Sequence, residues 1–171
     1  GAYPANYNKL RFLENHDQPR ICSFVRDERA LRNYTAMLYF LKGTTLLYAG
    51  QEFENDHLPS LFDLDPIDRH TGRDLSALLR RLYSIKRQFG CADWFHAEAD
   101  DEKDIAILHR GSGNRRFLGV FSLKADASPV KAGLPDGTYE NLIDGTVISV
   151  QDGLLCGSGL PLILCVNDDV K

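Results

Sequence analysis

The chain has 171 residues, 43% of them hydrophobic and 26% charged, which is the balance of a soluble globular protein with room for one domain or two small ones. The formal net charge of -4 provides no positive field for a polyanion, so we expect no nucleic-acid partner. The longest apolar run, at 160–166, is too short to span a bilayer, and we expect no membrane partner. The first residues show no signal-peptide pattern, which favours a cytoplasmic location.

The first half of the chain alternates strand and helix patterns. A short strand is predicted from Leu10 to Glu14, and apolar residues three and four apart predict an amphipathic helix from Asp27 to Lys42. The apolar run from Thr44 to Ala49 lacks alternation and predicts a strand buried on both faces. A second helix is predicted from about Asp74 to Phe89. The order βαβα is typical of an α/β fold.

The second half shows no helical period. Short apolar-rich runs alternate with Gly-containing turns and predict strands at 104–110, 117–123, 137–142, 147–150 and 160–167. Strands at this spacing are typical of an antiparallel β-sandwich. The change of pattern falls in the charged stretch between Gly90 and Lys103, and it predicts two domains, at residues 1–92 and 93–171.

The four cysteines are widely separated along the chain: Cys22, Cys91, Cys156 and Cys165. They form no C-x-x-C pair and no cysteine–histidine cluster at zinc spacing, so they indicate neither a structural metal site nor a redox motif. We expect no metal and no cofactor. An even number would permit disulfides. We favour reduced, buried cysteines, because a chain of this size does not need bridges to be stable.

The βαβα half raises a problem of size. Two βα units cannot close a barrel, since a complete (β/α)8 barrel needs eight units and about 250 residues. A two-stranded parallel sheet with two helices also leaves its edges uncovered. The pattern therefore predicts that this half is a quarter of a larger barrel.

Two segments carry a family resemblance. Residues 12–17, F-L-E-N-H-D, resemble the end of the seventh barrel strand in the α-amylase superfamily of glycoside hydrolases. Residues 43–52, G-T-T-L-L-Y-A-G-Q-E, are similar to the eighth strand of that family. One helix separates the two motifs and a β-rich tail follows them, as in the family. The resemblance implies a partial (β/α)8 barrel, comprising the seventh and eighth βα units, followed by an all-β C-terminal domain.

The resemblance also implies roles for four residues. Asp17 matches the third catalytic carboxylate, which grips sugar hydroxyls and stabilises the transition state, and His16 matches a histidine that binds a sugar hydroxyl. Asn15 and Glu52 are expected behind these groups or at the rim of the site. The implied reaction is cleavage of α-glucosidic bonds in an α-glucan or maltooligosaccharide by a retaining double displacement.

The two remaining catalytic groups of the family are missing from the sequence. The nucleophilic aspartate follows the fourth strand in a G-x-R-x-D context, and the acid/base glutamate follows the fifth. Neither segment is present, and Asp63, Asp65 and Asp68 do not match those motifs. We therefore expect the chain alone to be inactive, to need the N-terminal part of the barrel as a partner, and to self-associate through exposed barrel edges.

Local reasoning leaves simpler alternatives open. Asp17 lies two residues before Pro19, and an aspartate there can form a turn by bonding its own backbone. Trp94 and Phe95 can stack on a sugar or pack at a domain junction. The whole chain can also be a non-catalytic carbohydrate-binding or interaction module that retains a relic of an active site.

Overall fold

The structure, a computed structural model, describes residues 7–90 and 94–167. The first half contains two short strands, a 3-10 turn and three helices. They are β1 (Leu10–Arg11), α1 (Ile21–Phe24), α2 (Glu28–Phe40), β2 (Thr44–Thr45), the 3-10 turn Gln51–Phe53 and α3 (Ser76–Gln88). The two long helices confirm the predicted ones to within two residues at each end, and α1 was not predicted.

Helix α2 begins and ends as its sequence indicates. The side chain of Asp27 accepts a 2.9 Å hydrogen bond from the main-chain nitrogen of Ala30, which makes Asp27 the N-cap. Gly43, just past the end of the helix, has a φ of 122°. A Cβ at this position would clash with the carbonyl oxygen of Lys9, so the return of the chain alongside β1 requires glycine.

Strands β1 and β2 form a parallel pair in which Leu10 lies opposite Thr44. The predicted strands were longer, and only two residues of each form a ladder, because within the described residues each strand has only the other to pair with. Burial of the second strand on both faces was wrong, since Thr44 and Leu47 are exposed. Leu10, Phe12 and Leu47 present the exposed apolar edge that an incomplete barrel predicts.

The second half is a β-sandwich, as predicted. Its strands are β3 (Trp94–Asp100), β4 (Ile105–Ser112), β5 (Arg115–Ser122), β6 (Val130–Lys131), β7 (Gly137–Glu140), β8 (Val147–Gln151), β9 (Leu154–Leu155) and β10 (Leu162–Asn167). They form two four-stranded sheets in the orders β10-β5-β4-β3 and β6-β9-β8-β7, with every pairing antiparallel. Strands β3, β6 and β9 were not predicted.

The sheet β10-β5-β4-β3 is covered on both faces. Side chains of β4, β5 and β10 alternate between the two faces. One set packs with α2 and α3 in a core that includes Phe40, Leu82, Phe89, Leu108, Phe117, Phe121 and Ile163. The other set packs against the second sheet, in a core that includes Ile105, Ile107, Leu118, Val120, Val150, Leu155 and Leu164. The two halves of the chain therefore share an apolar core, and the position of the domain boundary stays a prediction.

The buried side chain of Asn33 also joins the two halves. From helix α2 it donates a 2.8 Å hydrogen bond to the carbonyl oxygen of Gly159 and accepts one of 2.8 Å from the main-chain nitrogen of Ser122. The Asn33 side chain thus satisfies one main-chain carbonyl and one main-chain amide of the sandwich.

Cations from three elements bind the carbonyl oxygens at the C-terminal end of α2. The amine of Lys86 in α3 donates to the carbonyls of Tyr39 and Leu41, both at 2.9 Å. Arg11 in β1 donates a 2.7 Å bond to the carbonyl of Lys42, and a further arginine comes from β4. The negative end of the helix dipole favours positive charge here, so these bonds tie α2 to its neighbours.

The cysteines differ in their exposure. Cys22 is buried, as expected, and Cys165 is half-buried, but Cys156 is exposed because it follows the short strand β9 at the surface. Cys91 lies outside the described residues. Across residues 7–90 and 94–167, none of the helices has the length and apolar character that crossing a bilayer requires.

Candidate active site

His16 and Asp17 lie in an exposed turn after β1. Asn15 forms this turn: its side-chain oxygen accepts a 2.8 Å bond from the main-chain nitrogen of Asp17, and its carbonyl accepts a 3.3 Å bond from that of Gln18. The turn is therefore made by Asn15, and the alternative in which Asp17 bonds its own backbone was wrong. The carboxylate of Asp17 faces solvent, 3.3 Å from the imidazole of His16, and these side chains are 64% and 58% exposed.

Both ends of this turn are tied to Glu14, whose side chain is fully buried. One of its oxygens accepts a 2.6 Å bond from the guanidinium of Arg20, and the other accepts a 2.8 Å bond from the main-chain nitrogen of Ile21. Both charged side chains have zero exposure. The carboxylate thus closes the loop that carries His16 and Asp17.

Arg20 extends this connection to two other segments. Its Nη2 donates a 2.9 Å bond to the carbonyl of Ala49, beyond β2, and its Nε donates a 3.0 Å bond to the carbonyl of His57. Its guanidinium carbon lies 4.3 Å from the centroid of the Tyr48 ring, a cation–π contact. Reasoning from the sequence missed Glu14 and Arg20, because nothing in the local pattern shows that two charged residues six apart meet in the interior.

Glu52 lies in the 3-10 turn that follows Gly50. Its carboxylate accepts a 2.8 Å bond from the main-chain nitrogen of Gly50, which has a φ of 93°. A Cβ on Gly50 would lie 2.7 Å from Ile67 and 3.2 Å from the guanidinium of Arg20, so only glycine fits this bend. Glu52 therefore stabilises the segment after β2, and its place at the rim of the site stays a prediction.

A cleft of about 230 Å³ is lined by Cys22, Arg26, Glu54, Asp56, Thr71 and Arg73. Its charges are paired: Glu54, buried, binds Arg73 at 2.6 Å, and Arg26 binds Asp56 at 3.0 Å. Burial, reinforced by the charge of Glu14, raises the pKa of the Cys22 thiol to about 11. A raised pKa keeps the thiol protonated, in agreement with the hydrogen bond that its sulfur donates to the carbonyl of Asn55, and this favours a structural role for Cys22.

The long loop at 57–73 is ordered by its own polar side chains. The carboxylate of Asp65 accepts a 2.9 Å bond from the main-chain nitrogen of Ser60 and lies 2.7 Å from the imidazole of His57. These two bonds, the backbone one first, lower the pKa of Asp65. The loop presents Phe62 and Leu64 to solvent, with 93% and 99% of their surface exposed.

For Trp94 and Phe95, at the start of β3, packing at the domain junction and stacking on a sugar both stay predictions. The indole of Trp94 lies so close to Gly111 on the neighbouring strand that a Cβ there would be 2.8 Å from the ring. Both Trp94 and Phe95 keep part of their surface exposed. In the part of the chain that the structure describes, no group of three histidine, cysteine or acidic residues is arranged to hold a metal ion.

Comparisons with known protein families match the two parts of the chain to two domain models. Residues 2–104, more than half of the chain, match the model of the alpha amylase catalytic domain, and residues 96–164 match that of the bacterial alpha amylase C-terminal domain. Over 86 residues, 46% of this chain and 14% of the relative, the chain is 34% identical to a probable oligo-1,6-glucosidase 3 of Bacillus subtilis (strain 168).

Solved structures resemble almost the whole chain. An alpha-amylase from Lactobacillus plantarum matches with a TM-score of 0.89 and 30% identity over 96% of this chain and 40% of that protein. A noncanonic maltogenic alpha-amylase from Thermotoga neapolitana matches in fold, with a TM-score of 0.79 and 24% identity over 96% of this chain and 42% of its own. The chain thus spans about two fifths of the length of these solved proteins.

Proposed function

The chain belongs to the α-amylase family of glycoside hydrolases, and we propose that in a complete barrel it supplies Asp17 for the cleavage of α-glucosidic bonds with retention of configuration. The observation that carries the proposal is the exposed pair of His16 and Asp17 at the end of β1, in a turn whose two ends are held by a buried carboxylate. Active sites of (β/α)8 barrels lie at the C-terminal ends of the strands.

The chemistry assigns a role to each of the two exposed side chains. Glycosidic cleavage passes through an oxocarbenium-like transition state, and a fixed carboxylate near the sugar ring stabilises the positive charge that develops there. Asp17 supplies that charge and accepts bonds from sugar hydroxyls. His16, next to it, donates a hydrogen bond to a hydroxyl of the same sugar.

The proposal includes a second polypeptide segment as a partner. A retaining enzyme needs a nucleophilic carboxylate and a carboxylic acid, and the sequence lacks both family motifs that carry them. We therefore propose that the remaining barrel strands pack on the apolar edge of Leu10, Phe12 and Leu47 and bring those two groups to Asp17. Without them the chain does not hydrolyse its substrate.

The first test is the coding sequence upstream of Gly1. We expect it to encode barrel strands with the missing aspartate and glutamate; a start codon near Tyr3 would overturn the proposal. The second test is hydrolysis of maltotriose by the complete protein. Asp17→Asn is expected to lower kcat/KM at least about a hundredfold, as loss of a group that stabilises transition-state charge does. Asp101→Asn, an exposed carboxylate in the second half, is the control and is expected to change little.

Calorimetry of the isolated chain separates the enzyme from the binding module. The proposal predicts no measurable binding of maltotriose to the 171-residue chain, because one edge of a site holds few of the contacts a sugar needs. Tight binding that survives Asp17→Asn would instead identify a carbohydrate-binding module. A cytoplasmic location belongs to the same proposal, and cell fractionation tests it.

A further inference from the structure

The turn that bears Asp17 is fastened at both ends by one buried ion pair. Glu14 holds Arg20 at 2.6 Å and the main-chain nitrogen of Ile21 at 2.8 Å, and neither charged side chain has any exposed surface. A buried ion pair contributes little net stability, because removing two charges from water offsets most of their attraction. What the pair does provide is a fixed geometry for the five residues between Glu14 and Arg20.

The same guanidinium fixes this turn relative to the neighbouring strand. Arg20 donates to the carbonyl of Ala49 from Nη2 and to the carbonyl of His57 from Nε. Because the guanidinium is planar and rigid, these two bonds fix both the distance and the orientation of the two segments relative to Arg20. Strands β1 and β2 are parallel, which places the segments that follow them at the same edge of the sheet. The position of Asp17 relative to that edge therefore depends on Arg20.

We propose that Glu14 and Arg20 are positioning residues for His16 and Asp17. Arg20 acts through Glu14 on the turn and through Ala49 and His57 on the segments around it. The catalytic consequence rests on the proposed function; the structural consequence does not. Removing the pair is expected to loosen the turn while the fold persists, since the turn itself contributes no residue to the apolar cores.

Hydrogen exchange in the 171-residue chain tests the structural part. The amides of Asp17 and Gln18 are bonded to Asn15 within the turn. Glu14→Gln is expected to speed their exchange at least about fivefold, because local opening of the turn becomes easier. The matched control is Glu54→Gln, which removes another buried carboxylate that binds an arginine at 2.6 Å, and it is expected to leave these two amides within about twofold of the parent.

Arg20→Lys provides a second variant if Glu14→Gln fails to fold. A lysine keeps the positive charge opposite Glu14 but cannot reproduce the fork that reaches Ala49 and His57, so the same rise in exchange is expected. The inference is overturned if Glu14→Gln and Glu54→Gln speed the two amides equally. It is also overturned if neither Glu14→Gln nor Arg20→Lys changes them.

Kinetics of the complete protein with maltotriose test the catalytic part. Glu14→Gln is expected to lower kcat at least about tenfold, and in the Asp17→Asn background to cause no further loss, since residues that act as a unit are not additive. Additive losses would indicate a merely structural role and overturn positioning. If Asp17→Asn itself leaves activity intact, the proposed function fails, whereas faster exchange in Glu14→Gln would still support the positioning of the turn.

Discussion

Arg110, in strand β4, donates a 2.7 Å hydrogen bond to the carbonyl oxygen of Phe40, the last residue of helix α2. The guanidinium carbon also lies 4.3 Å from the centroid of the Phe89 ring, next to α3. Burial lowers the pKa of Arg110 to about 10, which reflects the cost of removing this charge from water. The sandwich thus contributes a buried cation to the end of a helix in the other half of the chain.

We expect Arg110→Ala to lower the free energy of unfolding by about 2–4 kcal/mol, because it leaves the Phe40 carbonyl without this donor and opens a cavity beside Phe89. Urea denaturation of the chain measures the change. Arg115→Ala is the control, since this exposed arginine lies over the Phe117 ring at 5.1 Å and its loss is expected to cost under about 1 kcal/mol. Equal losses for the two variants would contradict the prediction.

The shared core predicts that both halves unfold together. Circular dichroism at the helix band reports α2 and α3, and fluorescence of Trp94, the one tryptophan in the sequence, reports the sandwich. We expect the two probes to give the same urea midpoint, as a two-state transition requires. Separate transitions would show that the halves are independent despite their contacts.

The lowered pKa of Lys86 predicts that the free energy of unfolding rises with pH in the alkaline range. Burial, together with the charges of Arg110 and Arg11, lowers the pKa of the Lys86 amine from 10.5 to about 8. Between these values the unfolded chain binds more protons than the folded one, so the free energy of unfolding rises with pH. The rise is about 1 kcal/mol once screening of the half-buried amine by water is allowed for.

Comparison with Lys86→Met isolates this effect. Other groups titrate in the same range, and the raised pKa of Cys22 gives the opposite slope, but these groups are present in both proteins. The stability of the parent relative to Lys86→Met is expected to increase from pH 7.5 to pH 10. A difference that stays constant or falls would contradict the prediction.

The apolar edge around β1 and β2 predicts self-association of the isolated chain. Leu10, Phe12 and Leu47 are exposed beside strand edges that pair with no third strand among the residues the structure describes, which favours pairing with a second copy. We expect sedimentation velocity to show dimers or larger species that increase with concentration, and Leu47→Lys to reduce them. Val147→Lys, at an exposed position of the sandwich, is expected to have no such effect, and a clean monomer at high concentration would refute the prediction.

Elements with a strong hydrophobic period were predictable from the sequence. Helices α2 and α3 and the strands β4, β5 and β10 each bury a defined set of apolar residues, and the family motifs gave the order of the barrel units. Strand β3 was missed because its alternating residues include two small alanines and three charged or histidine side chains, and at the edge of the sheet nearly all of them are exposed. The two-residue strand β6 pairs only with β9, which is distant in sequence, and β9 forms with β8 a hairpin too short to show a pattern.

Within the candidate site, sequence reasoning found the groups that face solvent and missed those that hold them. The exposed pair of His16 and Asp17 follows from the family motif, and its catalytic role stays a prediction. The burial of Glu14 depends on the side chain of Arg20 turning inward, and that arrangement depends in turn on carbonyls after β2 and in the long loop. No local pattern encodes a contact among three segments of the chain.

The sheet β10-β5-β4-β3 has consequences for how such genes can recombine. Because helices α2 and α3 cover one of its faces and the second sheet covers the other, a crossover near residue 92 would join a sheet to helices that had diverged to fit a different surface. The apolar face of a sandwich exchanged between relatives in this way would not be complementary to the helices it packs against. Inheritance of the last two helices together with the sandwich, as one evolutionary module, avoids that mismatch.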